Sequence, residues 1–212
     1  MSGRTSHSDQ DRDYLPGLGL HALQPLYDVV HRVFGIGRLH REMARLAGLG
    51  QGQRVLDIGC GTGNLLIALG RHRPDLELSG LDPDPTALRA AARKARRAGV
   101  DVRWERGFAE RLPFPDGSVD RVFSSLMLHH LDPPAKDALL AEVRRVLSPD
   151  GRLVLADFDG GHAHSPFGRR VGRLQANSDL PGRVSAAGLV PEPAVPFGLR
   201  IGQVDIVRAA RG

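Results

Sequence analysis

Two rhythms of apolar and polar positions alternate through the middle of the chain. Short runs with strand-like spacing occupy residues 54–57, 76–82, 100–105, 119–124 and 153–157. Between them, apolar residues recur at helical steps of three and four. The first such stretch carries Leu65, Leu66 and Leu69; the last carries Leu139, Leu140, Val143, Val146 and Leu147. Asp84-Pro85 and Asp132-Pro133 each set a capping acceptor before a proline at the first helical position, which predicts two helix starts, the first helix lasting to about Ala98. Ser148-Pro149-Asp150-Gly151 predicts a turn into the fifth strand. Strands alternating with helices predict an α/β fold: a mostly parallel sheet with helices on both faces, right-handed crossovers, and a ligand crevice at the carboxyl ends of the strands.

The flanks are less regular. Residues 1–13 read as a polar, disordered tail, and residues 14–49 as a helical cap, with Leu26, Val29, Val30, Val33 and Phe34 near helical spacing. Gly35 and Gly37 predict a break there, followed by a second stretch over 39–46; Gly48, Gly50 and Gly52 predict a loop. Residues 50–212 form one ligand-binding domain, a single compact unit with the cap. Towards the end, 182–189 predicts a helix and 203–208 a last strand, while Pro191, Pro193 and Pro196 allow only an edge or irregular strand between them.

Composition changes this picture little. With 212 residues, 41% of them apolar, the chain has enough for one sizeable core and too much for a disordered class. No apolar run reaches the ~18–20 residues of a membrane span, and the polar start is unlike a secretory signal. The single cysteine, Cys60, excludes an internal disulfide and a cysteine metal cluster, and a reducing, cytoplasmic setting is expected.

Charge is the competing signal, since a net charge of +5 fits nucleic acid or an anionic surface. Of 29 basic residues only Lys94 and Lys136 are lysines, and residues 89–111 hold eight basic side chains against three acidic ones. Arg89, Arg93, Arg96 and Arg97 lie near i, i+4 spacing opposite an alanine-rich side, so they read as the solvated back of a helix. A nucleic-acid partner is disfavoured, a small-molecule partner is expected, and the oligomeric state is left open.

The chemistry sits in Val55-Leu56-Asp57-Ile58-Gly59-Cys60-Gly61-Thr62-Gly63-Asn64. Three alternating glycines after a strand let the backbone turn sharply and approach a ligand with no Cβ in the way. A G-x-G-x-G spacing differs from the G-x-G-x-x-G of a dinucleotide pyrophosphate site, and a carboxylate at Asp57 suits an ammonium group better than an anion. Asp82, at the end of the second strand, is placed to accept from both hydroxyls of a ribose. Together these point to a nucleoside bearing an amino-acid tail.

In these elements the sequence resembles the class I S-adenosylmethionine-dependent methyltransferases, and within them the small-molecule enzymes of the ubiquinone/menaquinone C-methyltransferase type. The resemblance covers about residues 27–159. Beyond the glycine loop and Leu81-Asp82, it rests on Gly107-Phe108-Ala109-Glu110-Arg111-Leu112-Pro113-Phe114-Pro115-Asp116, on Asp120-Arg121-Val122-Phe123-Ser124-Ser125 and Leu128-His129-His130-Leu131, and on Glu142-Val143-Arg144-Arg145-Val146-Leu147 with Gly151-Arg152-Leu153. It implies a Rossmann-like seven-stranded sheet and S-adenosyl-L-methionine as cofactor. Asp57, Gly59, Cys60, Gly61 and Thr62 would surround the methionine part, Asp82 with Pro83 the ribose, Phe108 and Ala109 the adenine, and Ser125 the transferred methyl. Many relatives carry Asp or Asn where Phe108 stands, so the adenine amino group loses an acceptor here, at a cost of ~0.5–1.5 kcal/mol. The activity implied is in-line methyl transfer to C, O or N of a quinone, another aromatic or a further metabolite.

His129 and His130 follow the fourth strand, where an acceptor would approach, and are candidates for a general base; the alternative is a structural histidine at a strand–helix corner. Cys60 has no neighbour in sequence to activate it as a nucleophile. His162 and His164 have ligand-like spacing without a partner cluster, so no metal is expected. Asp132-Pro133-Pro134 imitates an amino-methylating signature but continues with Ala135 in place of an aromatic residue. Trp104 and Phe34 read as packing residues, and Tyr27 and His31 face the acceptor if the cap forms a lid. Rival readings are a nicotinamide-dependent oxidoreductase, a nucleic-acid methyltransferase and a non-catalytic S-adenosylmethionine-binding protein.

Overall fold

The structure, a computed structural model, describes residues 34–158 and 179–212. After helix α1 (Ile36–Leu46) the chain runs β1 (Arg54–Ile58), α2 (Asn64–His72), β2 (Glu77–Asp82), α3 (Pro85–Ala98), β3 (Arg103–Arg106) and β4 (Val119–Ser125). A 3-10 turn (Leu128–His130), α4 (Pro133–Val146) and β5 (Leu147–Phe158) follow, and then α5 (Leu180–Ala186), β6 (Leu189–Pro191), β7 (Val195–Leu199) and β8 (Gly202–Arg211). The strand order is β3-β2-β1-β4-β5-β8-β6. The first five strands are parallel and β8 is antiparallel to β5. The sheet has eight strands in seven rows, because β6 pairs with residues 209–211 of β8 and β7 with residues 202–206 along the same flank. Pro191 and Pro196 lie in these two short edge strands, where a missing N–H is tolerated.

Strand periodicity divides the interior into two cores. Leu56, Ile58, Val122, Leu153, Leu155 and Val207 face α4 and α5, meeting Leu139, Leu140, Val143 and Val184. The alternate positions Val55, Phe123, Val154, Ala156, Val204 and Ile206 face α1, α2 and α3, meeting Leu39, Met43, Leu65, Leu66 and Leu88. Each buried leucine or phenylalanine contributes ~1.5–3 kcal/mol of transfer free energy, so this even alternation fixes strand register, and the parallel pairing of β1–β5 places their five carboxyl ends on one rim. Arg121 ties α1 to the sheet: its guanidinium donates to the carbonyls of Ala47 at 2.9 Å and Gly48 at 3.2 Å.

Both proline-led helix starts are present, with Asp84 accepting from the Thr86 amide and Asp132 from the Ala135 amide. Four expectations need correction. Gly37 does not break the first helix; Gly35, at φ 82, caps it, and Gly37 lies within it. Ser148-Pro149-Asp150-Gly151 does not interrupt the strand, since β5 runs through it as a bulge between the pairs Val119–Leu147 and Arg121–Arg152. The third strand begins at Arg103, three residues late, and the last helix spans Leu180–Ala186, ending at Gly188, whose positive φ of 77 stops it. The solvated back of α3 is as expected, with Arg89, Arg93, Arg96 and Arg97 exposed.

Candidate active site

The rim is built on β1 and β2. The amides of Gly59 and Cys60 both donate to the Leu81 carbonyl, at 2.8 and 3.1 Å, which folds the glycine loop back over the end of β2. The Gly61 amide donates to one carboxylate oxygen of Asp82 at 2.8 Å, and the Asp84 amide to the other at 2.9 Å. Gly61 has φ 52, and a Cβ there would meet nothing within 4 Å, so its outer side is open. Gly63 has φ 74 and a Cβ there would come within 2.5 Å of the Trp104 ring, so its inner side is closed. Lys94 holds the far end of the loop by donating to Thr62 Oγ1 at 3.1 Å and to Asn64 Oδ1.

Two carboxylates close the base of this cradle. Asp57 is 4% exposed and finds no hydrogen-bond donor or cation among the described residues. Burial, and then the charge of Asp82, hold its carboxyl well above the usual range. Burial raises Asp82 too, against the pull of the Asp84 and Gly61 amides. An orphaned, buried carboxyl under an open glycine turn fits a ligand ammonium, and Asp82 keeps lone pairs for ribose hydroxyls. Cys60 sits between them; burial and then the neighbouring carboxylates push its thiol far up, so it is no nucleophile at neutral pH.

This arrangement has a measurable cost. A carboxyl whose pKa is raised on folding loses nothing below its unfolded pKa and destabilises the fold as pH rises above it, because the unfolded chain releases that proton first. Asp57→Asn removes the penalty. Its melting temperature is expected to exceed wild type by several degrees at pH 7.5 and to match it near pH 4, since ~1 kcal/mol moves Tm by about 2–4 °C at this size. Calorimetric melts at both pH values check this; a lower Tm at pH 7.5 overturns the assignment.

The opposite wall comes from the ends of β3, β4 and β5. The Gly107 amide donates to the Asp82 carbonyl at 3.3 Å, placing half-buried Phe108 and buried Ala109 just beyond the end of β2, with half-buried Pro83 alongside. Ser124 and Ser125 end β4, and the hydroxyl oxygens of both are buried without a partner. The next residue, Leu126, has φ 55, a left-handed backbone in a bulky residue. Its amide donates to the Ala156 carbonyl at 2.8 Å, and the Met127 side chain lies where a Gly59 Cβ would be, 2.4 Å from its Cγ. Packing therefore maintains the strain at the crevice.

Beyond that bend, Asp157 is fully buried and His129 lies over it. The ring Nδ1 of His129 is 2.8 Å from Asp157 Oδ1, and the His129 amide donates to Oδ2 at 3.0 Å. Phe158 meets the same ring edge-on, with centroids 5.2 Å apart. This fixes the ring and leaves Nε2 as the working nitrogen. His130 makes no hydrogen bond to Asp157; it packs on His129 at 4.1 Å, and loss of water around the ring, then the charge of His129, lower its pKa against the pull of Asp157. Of the two candidates, only His129 has an orienting partner.

Asp157 was not legible as a site residue, because it looks like the last position of an apolar strand. The one available signal is a carboxylate at the carboxyl end of such a strand, one residue beyond the partner of Ser125. Tyr27, His31, His162 and His164 lie outside the described residues. Among the described residues there is no group of three metal-ligating side chains and no helix long and apolar enough to cross a membrane. Trp104 packs as expected, against the core of α2 and α3. A cavity of about 310 Å³ lined by Asn64, Arg71, Lys94 and Arg97 opens on the outer side of α2 and α3, away from the two carboxylates.

Residues 55–151 match the family model of a methyltransferase domain. The chain is 36% identical over 186 residues to a demethylmenaquinone methyltransferase of Deinococcus radiodurans, covering 83% of this chain and 76% of the relative. It is 33% identical to a 27-O-demethylrifamycin SV methyltransferase of Amycolatopsis mediterranei, covering 74% of this chain and 61% of that one. Against several such relatives the chain spans a little over three-fifths of their length. The fold is also that of the cyclase SpnF, with TM-score 0.72 and 21% identity over 82% of this chain and 80% of that one. Sequence likeness and the two carboxylates under the glycine turn thus lead to one family: the chain belongs to the class I S-adenosyl-L-methionine-dependent methyltransferases, enzymes with that cofactor, and is similar within them to the quinone C-methyltransferases.

Proposed function

We propose that the chain methylates a small aromatic or enolic molecule that must lose a proton as it reacts. The single observation that carries this reading is the buried Asp157 carboxylate bonded to His129 Nδ1 at 2.8 Å, on the rim where β4 and β5 end. Bound S-adenosyl-L-methionine supplies a strongly electrophilic methyl group, so the hard chemistry comes with the cofactor. The residues of the chain hold, orient and deprotonate. Asp57 takes the ammonium, Asp82 the ribose hydroxyls, Phe108 and Ala109 the adenine, and the open side of Gly61 the chain between them. Ser125 lines the methyl position. His129 Nε2 accepts the acceptor's proton, and Asp157 holds the ring in the tautomer that leaves this nitrogen free. Alignment within ~3–3.5 Å and exclusion of water complete the task.

Relatives named for a demethylated quinone and a demethylated rifamycin support an oxygen-bearing acceptor. Residues 14–49 and 160–179, which lie largely outside the described residues, are the segments proposed to select it. The test is transfer of labelled methyl from S-adenosyl-L-methionine into a metabolite extract, with the product identified by mass. Label in a small aromatic or enolic product is expected. Label in RNA, or none while S-adenosylhomocysteine binds, overturns the reading.

A further inference from the structure

Lys136 is a cation in a place that opposes it three times over. It is 3% exposed, although its side chain is among the most readily solvated. It lies in the first turn of α4, where the helix dipole already presents positive charge and where the turn itself holds no acidic residue, only the Asp132 cap before it. Among the described residues its ammonium has neither a hydrogen-bond acceptor nor an ion-pair partner. The carboxylates near it are engaged elsewhere: Asp157 with His129 and the Phe158 amide, Asp132 with the Ala135 amide, and Asp137 with Arg183 of α5. Asp157, Asp132 and Asp137 favour its charge, while burial and then Arg183 oppose it, with a lowered pKa as the net effect. The stem of Lys136 is enclosed while Nζ is not among the fully enclosed unpartnered atoms, so the ammonium keeps an opening through which a ligand can reach it, and a cation this poorly solvated favours an anionic ligand there.

Its position says which ligand. Asp157 has the strand parity of Leu153 and Leu155, which face the α4 side of the sheet, and α4 begins just beyond the carboxyl end of β4. Lys136 therefore belongs to the same end of the molecule as the His129–Asp157 pair and to the same face as Asp157. The cofactor carboxylates, Asp57 among them, belong to the other face, with Val55. A cation on the acceptor side complements an anion on the acceptor.

We propose that Lys136 binds the ionised ring or enol oxygen of the methyl acceptor, and so selects phenolate- and enolate-type acceptors. This rests on the acceptor reading above. The proton leaving the hydroxyl goes to His129 Nε2, and the negative charge left on oxygen meets the Lys136 ammonium.

The test uses 4-nitrophenol, whose visible absorbance reports its ionisation, with the full chain and saturating S-adenosylhomocysteine. Wild type is expected to bind the phenolate and lower its apparent ionisation midpoint by about one pH unit, a tenfold preference for the ionised form. Lys136→Met is expected to lose that preference while keeping S-adenosylhomocysteine affinity within about twofold and melting no lower than wild type. Lys136→Arg, which retains the charge, is expected to restore part of it. An equal shift in Lys136→Met, or no phenolate preference in wild type, overturns the proposal. A lysine-dependent shift without methyl transfer to any phenol overturns the acceptor reading and leaves anion recognition by Lys136 standing.

Discussion

Asp82→Ala is expected to weaken S-adenosylhomocysteine binding at least ~100-fold. A charged acceptor contributes ~1.5–3 kcal/mol per hydrogen bond, and two ribose hydroxyls make that ~3–6 kcal/mol. The same carboxylate receives the Gly61 and Asp84 amides, so its removal also frees the turn that must be ordered when ligand binds. Titration calorimetry measures the loss. Asp82→Asn separates the two contributions, because the amide keeps one acceptor for the loop and gives up the charge. An affinity unchanged in Asp82→Ala removes the ribose assignment, whatever the fold family.

His129→Ala is expected to lower the rate of methyl transfer ~10²–10⁴-fold, the usual contribution of a positioned base, while leaving S-adenosylhomocysteine affinity as it was. Asp157→Asn should lose most of that rate without losing the fold, since an asparagine oxygen can still accept from one of the amides now bonded to the carboxylate. Single-turnover rates alongside ligand affinity distinguish this from a structural role: a packing histidine would move stability and binding together and leave the rate per bound cofactor intact. Retention of that rate in His129→Ala returns the residue to the strand–helix corner.

The central sheet was readable because its residues obey period two and its helices period 3.6, and because Asp84 and Asp132 announce helix starts with local chemistry. The proposed cofactor side was open to local reading for the same reason: Asp57, the three glycines and Asp82 sit within or beside one strand–turn–helix unit, and their spacing is their geometry. The proposed acceptor side is different. His129 meets Asp157 across 28 positions, and Lys136 and Asp157 come to one face only through the parity of β5. Nothing local in Leu-Ala-Asp-Phe or Ala-Lys-Asp distinguishes a site carboxylate or a buried lysine from an ordinary one. The bulge in β5 and the continuous first helix were missed for a related reason, since sheet pairing and core packing outweighed the local preferences of Gly37 and the Ser-Pro-Asp-Gly turn.

Trp104 is the sole tryptophan of the chain, and its ring fills the space beneath Gly63 and beside Gly80. The molecule thus has one indole emitter, seated against the hinge of the glycine loop proposed to receive the cofactor. Its fluorescence carries no background from other tryptophans, and any shift of that loop against α3 changes the ring's surroundings directly. Ligand association can be watched here by the unmodified protein's own light.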